Sequence, residues 1–152
     1  MASYGAVCFM GETENGGEDL CRRIYALISS FLECGACGFI FPSDSRFGLL
    51  CAKQVALRKR RQKGNSPDFV RLIAFVPYED HIADKTENFR NDYFDVIENC
   101  DASIVFARDK SVFVESDFVQ EIIDMADIVV CSEKSEYARL YATAKGKKII
   151  EV

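Results

Sequence analysis

The 152-residue chain has no tryptophan, three prolines and a single histidine, His81. It has no apolar run near the ~20 residues that a membrane helix needs. No basic segment precedes a long apolar stretch at its start, so neither a membrane span nor a secretory leader is expected. G-x-x-x-x-G-K-[ST] is absent, which removes a Walker-type NTPase. Gly11 is followed only by Gly16 and Gly17, which does not fit G-x-G-x-x-G, so a dinucleotide-binding dehydrogenase is not expected. G-x-S-x-G is absent too, so the hydrolase nucleophile elbow is missing. The formal net charge of -5 opposes general nucleic-acid affinity, which depends on neutralising phosphates. These absences predict a cytoplasmic domain with no membrane or general nucleic-acid partner.

What is present is enough apolar material for one core. Hydrophobic residues make up 49% and charged residues 28% of the chain, which predicts a single domain over residues 1–152. Seven cysteines, an odd number without secretory context, argue against a disulfide framework. Cys34-Gly-Ala-Cys37 is the one C-x-x-C. It closes a helix and enters a strand, the reverse of the redox arrangement. With one distant histidine it also lacks partners for zinc, and no metal or cofactor is expected. Gly35 reads as the left-handed residue that ends the helix.

Apolar segments and amphipathic stretches alternate along the chain. Tyr4 to Met10 reads as a buried strand ending at Gly11. Glu18 to Glu33 carries Leu20, Ile24, Leu27, Ile28 and Phe31 at helical spacing. Gly38 to Phe41 is a second strand stopped by Pro42, and Ser43-Asp44-Ser45 offers caps for a helix from Arg46 to about Gln62. Gly64 to Pro67 reads as a turn. Val70 to Val76 is a third strand, Thr86 to Cys100 a helix and Ala102 to Ala107 a fourth strand. Ser116 is expected to cap a helix reaching Met125. Asp127 to Cys131, then a helix from Glu136 to Lys145, then Lys147 to Val152 complete the series. Strands apolar throughout must be covered on both faces. The class is therefore α/β: a three-layer, doubly wound, Rossmann-like, mostly parallel sheet of five to six strands. The expected strand order is 3-2-1-4-5, with a sixth at the edge.

The run Arg58 to Lys63 suits a helix C-terminus, where cations complement exposed carbonyls. In an open parallel sheet, ligands sit beyond the carboxyl ends of the strands where the strand order reverses. The expected order opens that crevice between strands one and four. Its lining would come from Gly11–Gly17, Pro42–Phe47, Pro77–His81 and Ser132–Ser135, and helix starts there favour anions. Glu12 and Glu14 follow strand one and point towards the crevice, although acidic residues near a helix start are also favourable by themselves. Asp44 is equally explained as a cap, and Arg46 as a surface residue of a first turn. His81 reads as a solvated loop histidine without a nearby serine or cysteine.

Several stretches resemble the SLOG superfamily, the Rossmann-like group containing DprA/Smf and the Lonely Guy proteins, and within it the small YpsA-like proteins. They are the early strand ending at Gly11, Phe47-Gly48-Leu49-Leu50-Cys51-Ala52-Lys53-Gln54-Val55-Ala56, Leu72 to Pro77-Tyr78, Glu115-Ser116-Asp117-Phe118 to Asp127-Ile128-Val129-Val130, and Tyr141 to Ile150. The likeness covers nearly the whole chain. It implies binding of a nucleotide or nucleotide-derived small molecule at the carboxyl edge of the sheet. The residues it points to are Gly11, Glu12, Ser43, Asp44, Ser45, Arg46, Tyr78, Ser132 and Ser135. Two departures stand out. The glycine-rich phosphate loop of the group is reduced here to Pro42-Ser-Asp-Ser-Arg-Phe-Gly48. The P-G-G-x-G-T-x-x-E signature of Lonely Guy phosphoribohydrolases is replaced by Ser132-Glu-Lys-Ser-Glu136. An eroded domain acting as a homodimeric interaction module is the alternative. An N-glycosidic-bond hydrolase using Glu12 or Glu136 ranks below both.

Overall fold

The computed structural model describes residues 5–14, 16–61 and 70–152. The turn expected at Gly64–Pro67 and the Tyr4 end of the first strand lie outside them. Six strands alternate with five α-helices among the described residues: β1 (Ala6–Met10), α1 (Glu18–Glu33), β2 (Gly38–Pro42), α2 (Arg46–Arg61), β3 (Arg71–Val76), α3 (Glu87–Ile97), β4 (Ala102–Val105), α4 (Glu115–Asp124), β5 (Ile128–Cys131), α5 (Glu136–Ala144) and β6 (Lys148–Glu151). A short 3₁₀ turn, Lys110–Val112, follows β4.

The local signals act largely as their chemistry dictates. Thr86 caps α3, its Oγ1 accepting the Phe89 N–H at 3.2 Å. Gly35 ends α1 with φ 95°. β2 ends at Pro42 as expected, with the proline as its last residue, paired with Phe75. The next backbone N–H, that of Ser43, donates to Phe75 O at 3.0 Å, so the missing proline donor interrupts nothing. Ser116 is not the cap of α4; Val114 holds that place, with no side-chain hydrogen bond to the first turn.

All strand pairs are parallel and their order is β4-β3-β2-β1-β5-β6. This corrects the expected order. The fourth strand lies outside β3 at the sheet edge, and β5 takes the place beside β1. The chain runs from β1 outward to β4, and the β4–β5 connection then brings it back past β1. The helices divide accordingly. Ile24, Ile28 and Phe31 of α1, Val55 of α2 and Val96 of α3 pack with Val7, Phe9, Phe39, Phe41, Leu72 and Val130 on one face. Phe118, Ile122 and Ile123 of α4 and Ala138 and Ala142 of α5 pack with Cys8, Met10, Ile40, Phe75, Val129 and Cys131 on the other. Alternation along β1 thus serves two cores at once.

Not every apolar strand is sandwiched. All four residues of β4 are exposed, against the expectation of cover on both faces. At the centre the burial is complete, and it deactivates thiols: Cys8 and Cys51 are 0% exposed, and desolvation pushes both well above the ordinary thiol range.

Gly11 ends β1 at φ 109°, and a Cβ there would lie 2.1 Å from Ser132 Oγ and 2.9 Å from Lys134 O. Gly146, at φ 71°, has open space around it. Gly11→Ala combines backbone strain with a clash and is expected to cost about 2–4 kcal/mol, against ~1 kcal/mol for Gly146→Ala. Denaturant midpoints of the two variants measure the difference, and equal losses would contradict the packing described.

Candidate functional site

The strand order reverses between β1 and β5, not between the first and fourth strands as the sequence suggested. A cleft of about 580 Å³ opens there at the carboxyl ends of the strands, within the ~300–1,000 Å³ usual for small-molecule sites. One wall is Met10, Gly11 and Glu12 after β1 with Pro42, Asp44 and Ser45 after β2. The other comes from the starts of α4 and α5 and from Lys134 and Ser135, and Lys85 completes the lining.

Five of the residues expected at the site meet in this cleft: Gly11, Glu12, Asp44, Ser45 and Ser135. The other four do not line it, each for a visible reason. Ser43 is fully buried, with its hydroxyl 3.1 Å from His81 Nε2. Arg46 turns away to donate to Glu14 O at 3.4 Å. Tyr78 packs its ring edgewise on His81 and Phe113. Ser132 is buried and donates to Glu12 O at 2.9 Å. Lys85, Glu115 and Ser116 were not anticipated. The first arrives from the loop before α3, and the other two arrive because α4 crosses back over the sheet.

Glu12 joins the elements around the cleft. Its Oε1 accepts the Phe47 N–H at 3.1 Å and the Thr13 N–H at 3.0 Å. Its backbone N–H donates to Lys134 O at 3.0 Å. The carboxylate therefore sits at the N-terminus of α2, where the helix dipole and free amides favour an anion. Ser45 Oγ accepts the Gly48 N–H at 2.8 Å in the same turn. Asp44 is thus not the cap of α2, and the start of this helix is already satisfied by the protein. By contrast, neither α4 nor α5 has a side-chain cap, and both begin at the cleft.

The lining is charged in both senses, with Glu12, Asp44, Glu115 and Glu136 against Lys85 and Lys134. Burial raises the Asp44 carboxyl to about 6; Glu115 and Glu12 push the same way, while its own backbone amide and Lys85 oppose. Lys134 is exposed and paired with Glu14, whose carboxyl this contact lowers.

His81 is buried, 4% exposed, which corrects its reading as a solvated loop residue. Burial lowers its pKa and keeps it neutral at physiological pH. Nδ1 lies 3.0 Å from Tyr78 O, and Nε2 lies 3.1 Å from the Ser43 hydroxyl and 3.4 Å from Ser43 O. The serine partner exists, but 38 residues away in sequence. The pair ties the end of β2 to the loop after β3. Among the described residues, no group of three or more His, Cys, Asp or Glu is placed to hold a metal ion, so Glu79, Asp80 and Asp84 form no such site.

Glu12→Ala removes a cap and is expected to cost about 1–2 kcal/mol in denaturant unfolding; a loss below ~0.3 kcal/mol would show that water replaces the carboxylate. Asp44 titrates in the opposite sense to a salt-bridged carboxylate. Its folded value lies above the ordinary 3.8, so the stability it contributes is present in acid and is lost as pH rises through about 6. His81, with a lowered folded value, contributes stability above the ordinary histidine range that is lost on acidification. Asp44→Asn should therefore gain on the wild type between pH 4 and 7.5, by about 1–3 kcal/mol. Parallel stability–pH curves for the two proteins would refute the burial assigned to this carboxyl.

No protein-family model matches the chain and no curated protein matches it, so the function of the cleft rests on its own residues.

Proposed function

We propose that the cleft binds a nucleotide or nucleotide-derived small molecule, with its phosphoryl end at the starts of α4 and α5. The observation that carries this reading is the convergence of two helix starts without side-chain caps on one open cleft that also contains Lys85 and Lys134. Unpaired amides and the positive ends of both helix dipoles favour an anion there. The reduced glycine-rich loop after β2 offers no phosphate cradle, because Glu12 already satisfies the amide of Phe47, and it contributes Asp44 and Ser45 to the wall instead. The resemblance to the SLOG superfamily agrees with a ligand at this edge of the sheet. The acidic residues Glu12, Asp44, Glu115 and Glu136 favour a ligand that offers hydroxyl or amino donors beside few negative charges. Such a ligand is a nucleoside monophosphate or a derivative in preference to a triphosphate.

One observation favours the alternative, a domain that has given up ligand binding and works as an interaction module. The Glu12 carboxylate is an anion built into the start of α2, beside the place where the SLOG proteins that the chain resembles keep a phosphate loop. Thermal unfolding with a panel of nucleoside monophosphates, nicotinamide nucleotides and cyclic nucleotides separates the two. A ligand at 100 times its dissociation constant stabilises by ~2.7 kcal/mol. Lys134→Ala and Lys85→Ala should each weaken that ligand about tenfold, the loss of one charge-assisted contact. No stabilisation by any member of the panel favours the interaction module.

A further inference from the structure

We propose that Tyr137 is the stacking platform for an aromatic base in the cleft, so that the ligand is recognised as a nucleotide and not as a bare sugar phosphate. This rests on the reading of the cleft as a site for a nucleotide-derived molecule and adds the residue that tells such a ligand apart. Two aromatic side chains line the cleft, Phe118 and Tyr137. Phe118 is 2% exposed and packs among Phe75, Phe106 and Phe113, so it belongs to the core beneath. Tyr137 is 43% exposed.

The ring of Tyr137 is also unoccupied. Tyr25 carries Arg61 over its ring and Tyr141 carries Lys145, while Tyr78 and Tyr93 pack against His81. Among the described residues, Tyr137 is the one tyrosine whose ring has neither an aromatic nor a cationic partner. The side chain is nevertheless held in place. Tyr137 is the second residue of α5, and its hydroxyl accepts from the side-chain amide of Gln120, in α4, at 2.6 Å. It therefore spans the two helices whose starts form the phosphoryl end of the site, with its polar tip satisfied and its apolar body left to the cleft. A ring fixed in this way loses little freedom when a ligand packs on it. A planar base offers it a matching face, whereas a ribose or a phosphoryl group does not. The cleft volume of about 580 Å³ leaves room for base, sugar and one phosphoryl group together.

Isothermal titration of the full chain with the four ribonucleoside 5′-monophosphates and with ribose 5-phosphate tests this, with circular dichroism to check folding. In the wild type at least one nucleotide should bind about tenfold or more tighter than ribose 5-phosphate, the contribution of one stacked base. Tyr137→Ala should abolish that preference and leave the affinity for ribose 5-phosphate unchanged. Tyr137→Phe, which keeps the ring, should bind both as the wild type does. The chain has no tryptophan, so its ultraviolet emission comes from tyrosine. Bound nucleotide should quench part of that emission in the wild type, and Tyr137→Phe should lack that part at equal occupancy. A Tyr137→Ala protein that keeps the nucleotide preference overturns the proposal. So does one that weakens ribose 5-phosphate by the same factor as the nucleotide, which marks a structural role. If Tyr137→Ala fails to fold, the emission decides, and equal quenching in the wild type and Tyr137→Phe overturns the proposal. Equal wild-type affinity for nucleotides and ribose 5-phosphate, with both weakened by Lys134→Ala, overturns the stacking and leaves the reading of the cleft in place. Binding by none of these compounds overturns both.

Discussion

The pairing of β1 with β5 is the constraint on which the rest depends. It joins Val7–Met10 to Ile128–Cys131, segments separated by most of the chain, and it forces the return crossover that puts α4 and α5 on the second face. Both cores follow from it, because β1 must be apolar on both sides once helices cover both. The cleft follows as well, since the loops after β1 and β5 diverge to opposite faces and leave a space between them. Glu12 then fastens that junction. Its backbone bonds to the Lys134 loop, the Ser132 hydroxyl bonds to its carbonyl, and its carboxylate holds the first turn of α2.

The electrostatics of the cleft reflect the same economy of groups. Where a glycine-rich loop would present bare amides, the chain supplies its own carboxylate. The start of α2 is thereby satisfied within the chain, whereas the starts of α4 and α5 carry no side-chain cap. Asp44, displaced from the capping role by Ser45, is left part-buried among other acids, and desolvation raises its pKa.

The class of fold was legible in the sequence because its signals are local and repeated. Apolar runs in β1, β2, β3 and β5 and the spacing of Ile24, Ile28 and Phe31 each need only neighbouring residues to be read. Strand order was not legible beyond a rule of thumb. The fourth segment, Ala-Ser-Ile-Val, is as apolar as its neighbours, and nothing in it says edge instead of centre. That single misplacement hid Glu115 and Ser116 from the expected cleft lining. The residues after β1 and β5 meet at the cleft because loops after central strands line the crevice whichever strand is next. Ser43, Arg46, Tyr78 and Ser132 do not line it, for another reason. A loop's position is readable, but whether each side chain turns outward, or inward to a partner such as His81, depends on tertiary contacts that spacing does not encode.

The separation of the two cleft walls has a consequence for how the protein comes into being. During synthesis the segment up to β4 can pair four strands side by side, yet it has only one half of the cleft. The opposite wall arrives with the start of α4 and then Lys134–Ala138, and the Ser132–Glu12 bond closes across 120 residues. Joining such distant segments is slow in comparison with local pairing. A chain cut short before this segment therefore lacks one wall of the cleft, and the cleft is complete only once β5 and the start of α5 have docked.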